Sequence, residues 1–229
     1  LFGYDLKDYE ALFDEKLDLL QLANESTKVN WQGQLTQSIA GKEVYPRPVQ
    51  GKLPLWVATG GHVESTVKIA RAGLPIVYAI IGGNPRYFKK LIQAYREIGR
   101  EAGHAGKDLK VGTHSWGWIA EDGDQAVKDY FHPTKQIVDT ISKDRPHWQE
   151  LTYEQYLEQV GPNGAMFVGN PDQVAEKLIR MIEDLDLDRF MLHLPLGSMP
   201  HGQVLRAIEL FGTQVAPKIR AYFVMKEGL

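Results

Sequence analysis

The stretch Thr59-Gly60-Gly61-His62-Val63-Glu64-Ser65 puts a glycine pair between a short apolar run and a helical pattern. Glycines let a backbone approach a ligand closely, the amides at a helix start are unpaired and sit at the positive end of its dipole, and a serine one turn in adds a hydroxyl. These are the parts of a phosphate-binding turn. A plain strand-to-helix turn uses the same residues, and the spacing is neither Gly-x-Gly-x-x-Gly nor a lysine-bearing phosphate loop. A second glycine pair, in Gly82-Gly83-Asn84-Pro85, reads as a turn with a cap, because proline removes one amide and asparagine covers the others. His114, Trp116 and Trp118 recur at a spacing of two, hence on one face of a strand. That face either stacks against a planar ring in a ligand cavity or packs against a helix. His193 and His201 flank the last loop.

His62, His114, His193 and His201 offer neither His-x-His nor His-Glu-x-x-His spacing, so no metal site is expected. No Gly-x-Ser-x-Gly elbow marks a hydrolytic serine, and with no cysteine there is no thiolate nucleophile or disulfide.

The elements that must position these residues follow a regular order. Tyr9, Leu12, Phe13, Leu17, Leu20 and Ala23 recur at helical spacing behind Asp5 or Asp8 as N-cap. Residues 30–50, punctuated by Gly33, Gly41, Pro46 and Pro48, predict a hairpin or irregular excursion. Strands are then predicted at 55–59, 75–81, 109–120 and 189–194. Helices follow at 63–72, ended by Gly73, from Asn84 onward, after the acidic turn 121–124, from Asn170 onward, and from His201 to about Phe211. Between 130 and 166, Pro133, Pro146 and Pro162 interrupt the pattern, which suggests helical pieces on a long excursion. Apolar strands alternating with helices predict a parallel sheet covered by helices, with ligands bound where the strands end.

Composition agrees with a folded chain that binds a small molecule. Of 229 residues, 43% are hydrophobic and 24% charged, and 26 basic against 29 acidic residues leave a net charge of −3. No run of like charge invites nucleic acid or a membrane surface, and no apolar stretch is long enough to span one. The lack of cysteine suits a reducing, cytoplasmic setting.

Taken in order, Tyr45-Pro46-Arg47-Pro48-Val49-Gln50, Leu55-Trp56-Val57-Ala58-Thr59-Gly60-Gly61-x-x-Glu64-Ser65, Ala72-Gly73-Leu74-Pro75 and Ala79-Ile80-Ile81-Gly82-Gly83 resemble the bacterial luciferase-like flavin-dependent monooxygenases. The resemblance continues through Val111-Gly112-Thr113-His114-Ser115, Val168-Gly169-Asn170-Pro171 and Ile208-Glu209-Leu210-Phe211-Gly212 to Pro217. It implies a TIM (β/α)8 barrel that binds FMN, or a deazaflavin in some branches, and uses reduced flavin with dioxygen on a small substrate, or transfers hydride, with NAD(P)H as a possible donor. It implies that Thr59, Gly60, Gly61, His62 and Ser65 hold the flavin phosphate. His114, Trp116 and His193 become walls around the flavin ring and substrate, with His114 and His193 the candidates for catalysis.

Aligned this way, Leu55 begins the fifth barrel strand, so about strands 5–8 are expected in one incomplete domain spanning 1–229. The expectation is the C-terminal portion of a longer oxidoreductase, completed by its other half or by a homo-oligomer that covers the sheet edges. A shortened flavin-binding protein without turnover and a metal-dependent barrel hydrolase are the alternatives.

Overall fold

The computed structural model describes residues 3–145 and 148–228. Pro146, one of the prolines that punctuate residues 130–166, lies outside the described residues. Two compact units divide the chain at Leu55.

In the first unit Asp5 caps a 3-10 turn, Leu6–Asp8, by accepting from the Lys7 amide at 2.9 Å, and helix α1 runs from Tyr9 to Glu25. Strands β1 (Lys28–Trp31) and β2 (Ile39–Glu43) pair antiparallel. Charged side chains tie the unit together. The Glu15 carboxylate accepts from the amides of Gln34, Leu35 and Thr36 at 2.8–3.0 Å and from the Thr36 hydroxyl. Arg47 donates to the carbonyls of Ala23, Asn24 and Ser26 at the end of α1. A helix leaves its last carbonyls unserved, and Arg47 supplies the missing donors.

In the second unit β3 (Val57–Thr59), β4 (Ile76–Ala79), β5 (Val111–Ile119), β6 (Phe167–Gly169) and β7 (Arg189–His193) form a parallel sheet. The order is β3-β4-β5-β6, and β7 also pairs with β5. Helices α2 (Val63–Arg71), α3 (Lys89–Glu101), α4 (Gly123–Asp144), α5 (Tyr153–Val160), α6 (Pro171–Leu185), α7 (His201–Leu210) and α8 (Ala216–Glu227) connect and cover it.

Paired residues in a parallel sheet share a face, so the register divides the sheet cleanly. Tyr78 lies on one face and meets α2, its hydroxyl 3.2 Å from that of Thr66. Ile76 and Val111, one pair earlier on the same face, are buried completely. The other face carries Ala58, Val77, Ala79, Gly112, His114, Trp116, Arg189, Met191 and His193. It is less evenly covered: Ala58, Arg189 and His193 are exposed and Ala79, His114 and Met191 half-buried, while Val77, Gly112 and Trp116 are buried.

Three sequence expectations need correction. The parallel sheet has five strands, not the four that the sequence predicts: β6 is three residues long, too short to show a period ahead of the Asn170-Pro171 helix start. Gly117 makes that pairing possible, since a side chain there would run into the Phe167 carbonyl. The last helix does not stop near Phe211. It passes through a π turn, Phe211–Val215, into α8, with Pro217 at the start of α8. Finally, Asn84 and Pro85 start a 3-10 turn, Pro85–Phe88, ahead of α3.

Candidate functional site

The loops at the ends of β3 and β4 meet β5, at Trp116, around a cavity of about 600 Å³, whose lining includes Gly60, Gly82, Gly83, Trp116, Trp148 and Met166. Open space lies where side chains would stand at Gly60, Gly82 and Gly83, so a ligand has direct access to backbone there. Gly61 is different. Its φ of +100° favours glycine, and a Cβ would come within 2.7 Å of the Phe88 ring. Packing therefore demands glycine at 61.

Among the strand-to-helix turns, the starts of α2 and α7 lack a side-chain cap, and of the two only the α2 turn, through Gly60, reaches the cavity. Asn84, Asp122 and Asn170, which begin the turns after β4, β5 and β6, each fold a side-chain oxygen onto amides of the following residues. His62, the N-cap of α2, makes no such bond, and its exposed ring leaves the first-turn amides of α2 uncapped by its own side chain. Thr59 turns its hydroxyl inward and accepts from the Gly61 amide at 3.3 Å, which commits that amide to the turn. Ser65 is half-buried in the first turn, and the buried Thr66 beside it bonds the His62 carbonyl and Tyr78.

Of the aromatic residues predicted to form walls, Trp116 reaches the cavity, its ring 6.5 Å from that of Trp148. His114 and His193 lie on the same sheet face with ring centroids 5.4 Å apart, outside the cavity lining. Burial, and then the charge of His193, hold the His114 pKa below its ordinary value. Its imidazole is therefore neutral near pH 7, with one nitrogen to donate and one to accept. Trp118 departs from the expected row: it is 2% exposed and stacks on Tyr130 at 6.0 Å in the core. Its strand position is right, but α4 covers that end of β5.

Two contributors to the cavity lie outside the sequence expectation, Trp148 and the Gly82-Gly83 pair. Trp148 comes from the aperiodic excursion and carries no local signal. Gly82 and Gly83 were ranked as a turn, yet they border the same cavity as Gly60. Away from the cavity lining, Trp56 and Arg189 stack, guanidinium over ring at 4.5 Å, beside Gly112, where a Cβ would lie 3.3 Å from the indole. Among the described residues no helix is long and apolar enough to cross a membrane.

A profile of the luciferase-like monooxygenases matches residues 1–188. The monooxygenase RslO1 from Streptomyces bottropensis superposes with a TM-score of 0.76 at 20% identity, over 94% of this chain and 63% of its own. An F420-dependent secondary alcohol dehydrogenase, solved with an F420-acetone adduct, gives 0.69 at 15% identity, over 96% and 65%. The oxygenating constituent of 3,6-diketocamphane monooxygenase from a Pseudomonas putida plasmid, solved with FMN, gives 0.60 at 16%, over 95% and 69%. The chain thus spans roughly two thirds of each, and at these identities the superpositions show the fold. With most of its length matched by the family profile and its parallel α/β sheet shared with these enzymes, the chain belongs to the luciferase-like monooxygenase family.

Proposed function

We propose that this chain carries the flavin-phosphate loop of a flavin-dependent oxidoreductase of the monooxygenase type. The phosphate is received by the Gly60-Gly61-His62 turn and the first amides of α2, with Ser65 adding its hydroxyl. One observation carries this reading: the start of α2 is uncapped by its N-cap side chain and lies beside a cavity, while the turns after β4, β5 and β6 are capped by Asn84, Asp122 and Asn170 and the uncapped start of α7 contributes nothing to that cavity's lining. An anion completes such a helix start and gains from the dipole. The open positions at Gly60, Gly82 and Gly83 leave room for it.

Bound flavin supplies hydride transfer or, when reduced and with dioxygen, oxygenation of a small organic substrate. The chain's own residues do the rest. Trp116 and Trp148 offer apolar surface that excludes water. Neutral His114, with His193 beside it on the same sheet face outside the cavity lining, is the group proposed to orient a polar part of a ligand that extends past the cavity, or to hold a proton at one ring nitrogen. FMN is the first choice of cofactor and a deazaflavin the second; structural relatives solved with FMN and with an F420 adduct support both. NAD(P)H is the proposed hydride donor.

We read the sheet as the C-terminal portion of a (β/α)8 barrel. Among the described residues β3 pairs only with β4 and β7 only with β5, so each keeps an open edge. Parallel sheets are ordinarily covered on both faces, and the face with His114 is covered only in part. Further barrel strands, or a second copy, complete it. Light scattering that finds a stable, dilute monomer of this chain counts against that completion.

A fluorescence titration with FMN tests the loop. Ser65→Ala is expected to weaken binding about tenfold to a hundredfold, the worth of one hydrogen bond to a charged group. Gly60→Val, which fills the open position, is expected to weaken it more, and riboflavin, lacking the phosphate, to respond less to either change. Unchanged FMN affinity in both variants removes the phosphate assignment.

A further inference from the structure

Lys177, on α6, is 9% exposed, and its ammonium points at backbone. Nζ donates to the carbonyls of Gly161 and Met166 at 2.6 Å and of Val160 at 2.9 Å, with the Gln159 carbonyl farther off at 3.4 Å. An ammonium has three hydrogens, and three carbonyls stand at short range. The fourth, of Gln159, already accepts from the Met166 amide at 2.9 Å. The match is complete only for the charged form. Burial, and then the charge of Arg180, push the Lys177 pKa down to about 7; three converging carbonyl dipoles oppose that push.

The acceptors belong to two segments. Val160 and Gly161 end α5, an eight-residue helix with no basic residue in its last turn to serve its open carbonyls. Met166 precedes β6. Between them the chain doubles back so tightly that a side chain at Gly164 would collide with the Gln159 and Glu158 carbonyls. These segments also form a wall of the 600 Å³ cavity, through Gln155, Glu158, Gln159 and Met166. Lys177 does not line that cavity; it borders a separate recess of about 250 Å³ with Phe167 and Arg180.

We propose that Lys177 is a positioning residue for the cavity: its ammonium ties the end of α5 to the chain entering β6 and so fixes the wall that stands with Gly60 and Trp116 around the ligand. The proposal rests on the reading of that cavity as the flavin-side site. It assigns to α6, a helix that the phosphate loop does not involve, control over how firmly the ligand is held.

The test compares wild type, Lys177→Met and Lys177→Arg in the 229-residue chain. Hydrogen exchange of the amides of Gly161, Gly164 and Met166 reads the clamp, and titrations with FMN and riboflavin read the cavity. Lys177→Met is expected to speed exchange at those amides at least tenfold while amides of β4 keep their protection. It should weaken FMN and riboflavin alike by about fivefold to tenfold, unlike the phosphate-loop variants, which affect riboflavin less than FMN. Lys177→Arg, which keeps a cationic donor, should restore affinity to within about threefold of wild type and still folds if Met at 177 does not. Wild-type exchange in Lys177→Met overturns the proposal, as does an FMN loss that arginine fails to restore although the fold is intact. If wild type binds neither flavin, the flavin reading falls, and the exchange comparison still decides whether Lys177 fixes the wall.

Discussion

Glu15 and Lys177 perform the same task with opposite charge, in opposite surroundings. Glu15 gathers three amides and a hydroxyl at the surface of the first unit; Lys177 gathers carbonyls inside the second. Hydrogen bonds from Thr36 and Leu35 hold the Glu15 pKa at about 2, so its surroundings favour the charged form. Lys177 is shifted toward its neutral form, because burial outweighs its neighbours. A clamp at the surface is electrostatically comfortable, while a buried one is held under tension by lost hydration. The units around them differ accordingly. Within residues 3–55 Val29 is the one buried residue described, whereas the second unit has a core built on Trp118, Tyr130, Tyr156 and Met166.

If that contrast is right, the largest effect comes from the core. Trp118→Ala is expected to destabilise the second unit by about 3–5 kcal/mol, read from the urea midpoint; a loss under 1 kcal/mol would mean the core repacks and the contrast is overstated. Lys177→Met follows, at about 2–3 kcal/mol, because carbonyls left without donors remain partly shut off from water. A neutral result there would place Lys177 with the surface clamp.

Glu15→Gln should act locally: faster amide exchange at residues 34–36, little change in the unfolding of the second unit. Acid gives the smallest and most graded effect. The folded pKa of Glu15 lies below its unfolded value of 4.5, so its contribution is present above pH 4.5 and lost as pH falls toward about 2. Protection at residues 34–36 should therefore decline across that window in wild type and stay flat in Glu15→Gln. A flat wild-type profile would mean that the clamp's charge does not matter.

Much of the frame was legible in the sequence because local patterns encode it. Glycine and asparagine punctuation marks the crossings Gly60-Gly61, Gly82-Gly83-Asn84 and Asn170-Pro171, and continuous apolar runs mark β4 and β5. Three-residue β6 was not legible, since its pairing with Gly117–Ile119 is a fact about a distant strand. The site divides the same way. Gly60 and Trp116 could be found from glycine usage and spacing. Trp148 and Lys177 could not, because one acts from an aperiodic segment and the other through carbonyls 11 to 18 residues away, to which every residue type contributes equally.

Strand β5 is the spine of the sheet, paired with β4 on early residues, β6 on late ones, and β7 along most of its length. Its partner β7 ends at His193, more than seventy residues after β5 ends at Ile119. During synthesis at about 5–20 residues per second, β5 therefore waits roughly 4–15 s with hydrogen-bonding groups open after it has been made. An apolar strand with an open edge is a hazard for that interval. The Asp188 side chain and backbone, which bracket Val111 with bonds of 2.8 Å each way, then close the pair at its first residue. Slow codons between 120 and 188 would lengthen the interval, and a chaperone that shields β5 would serve this chain most in that window.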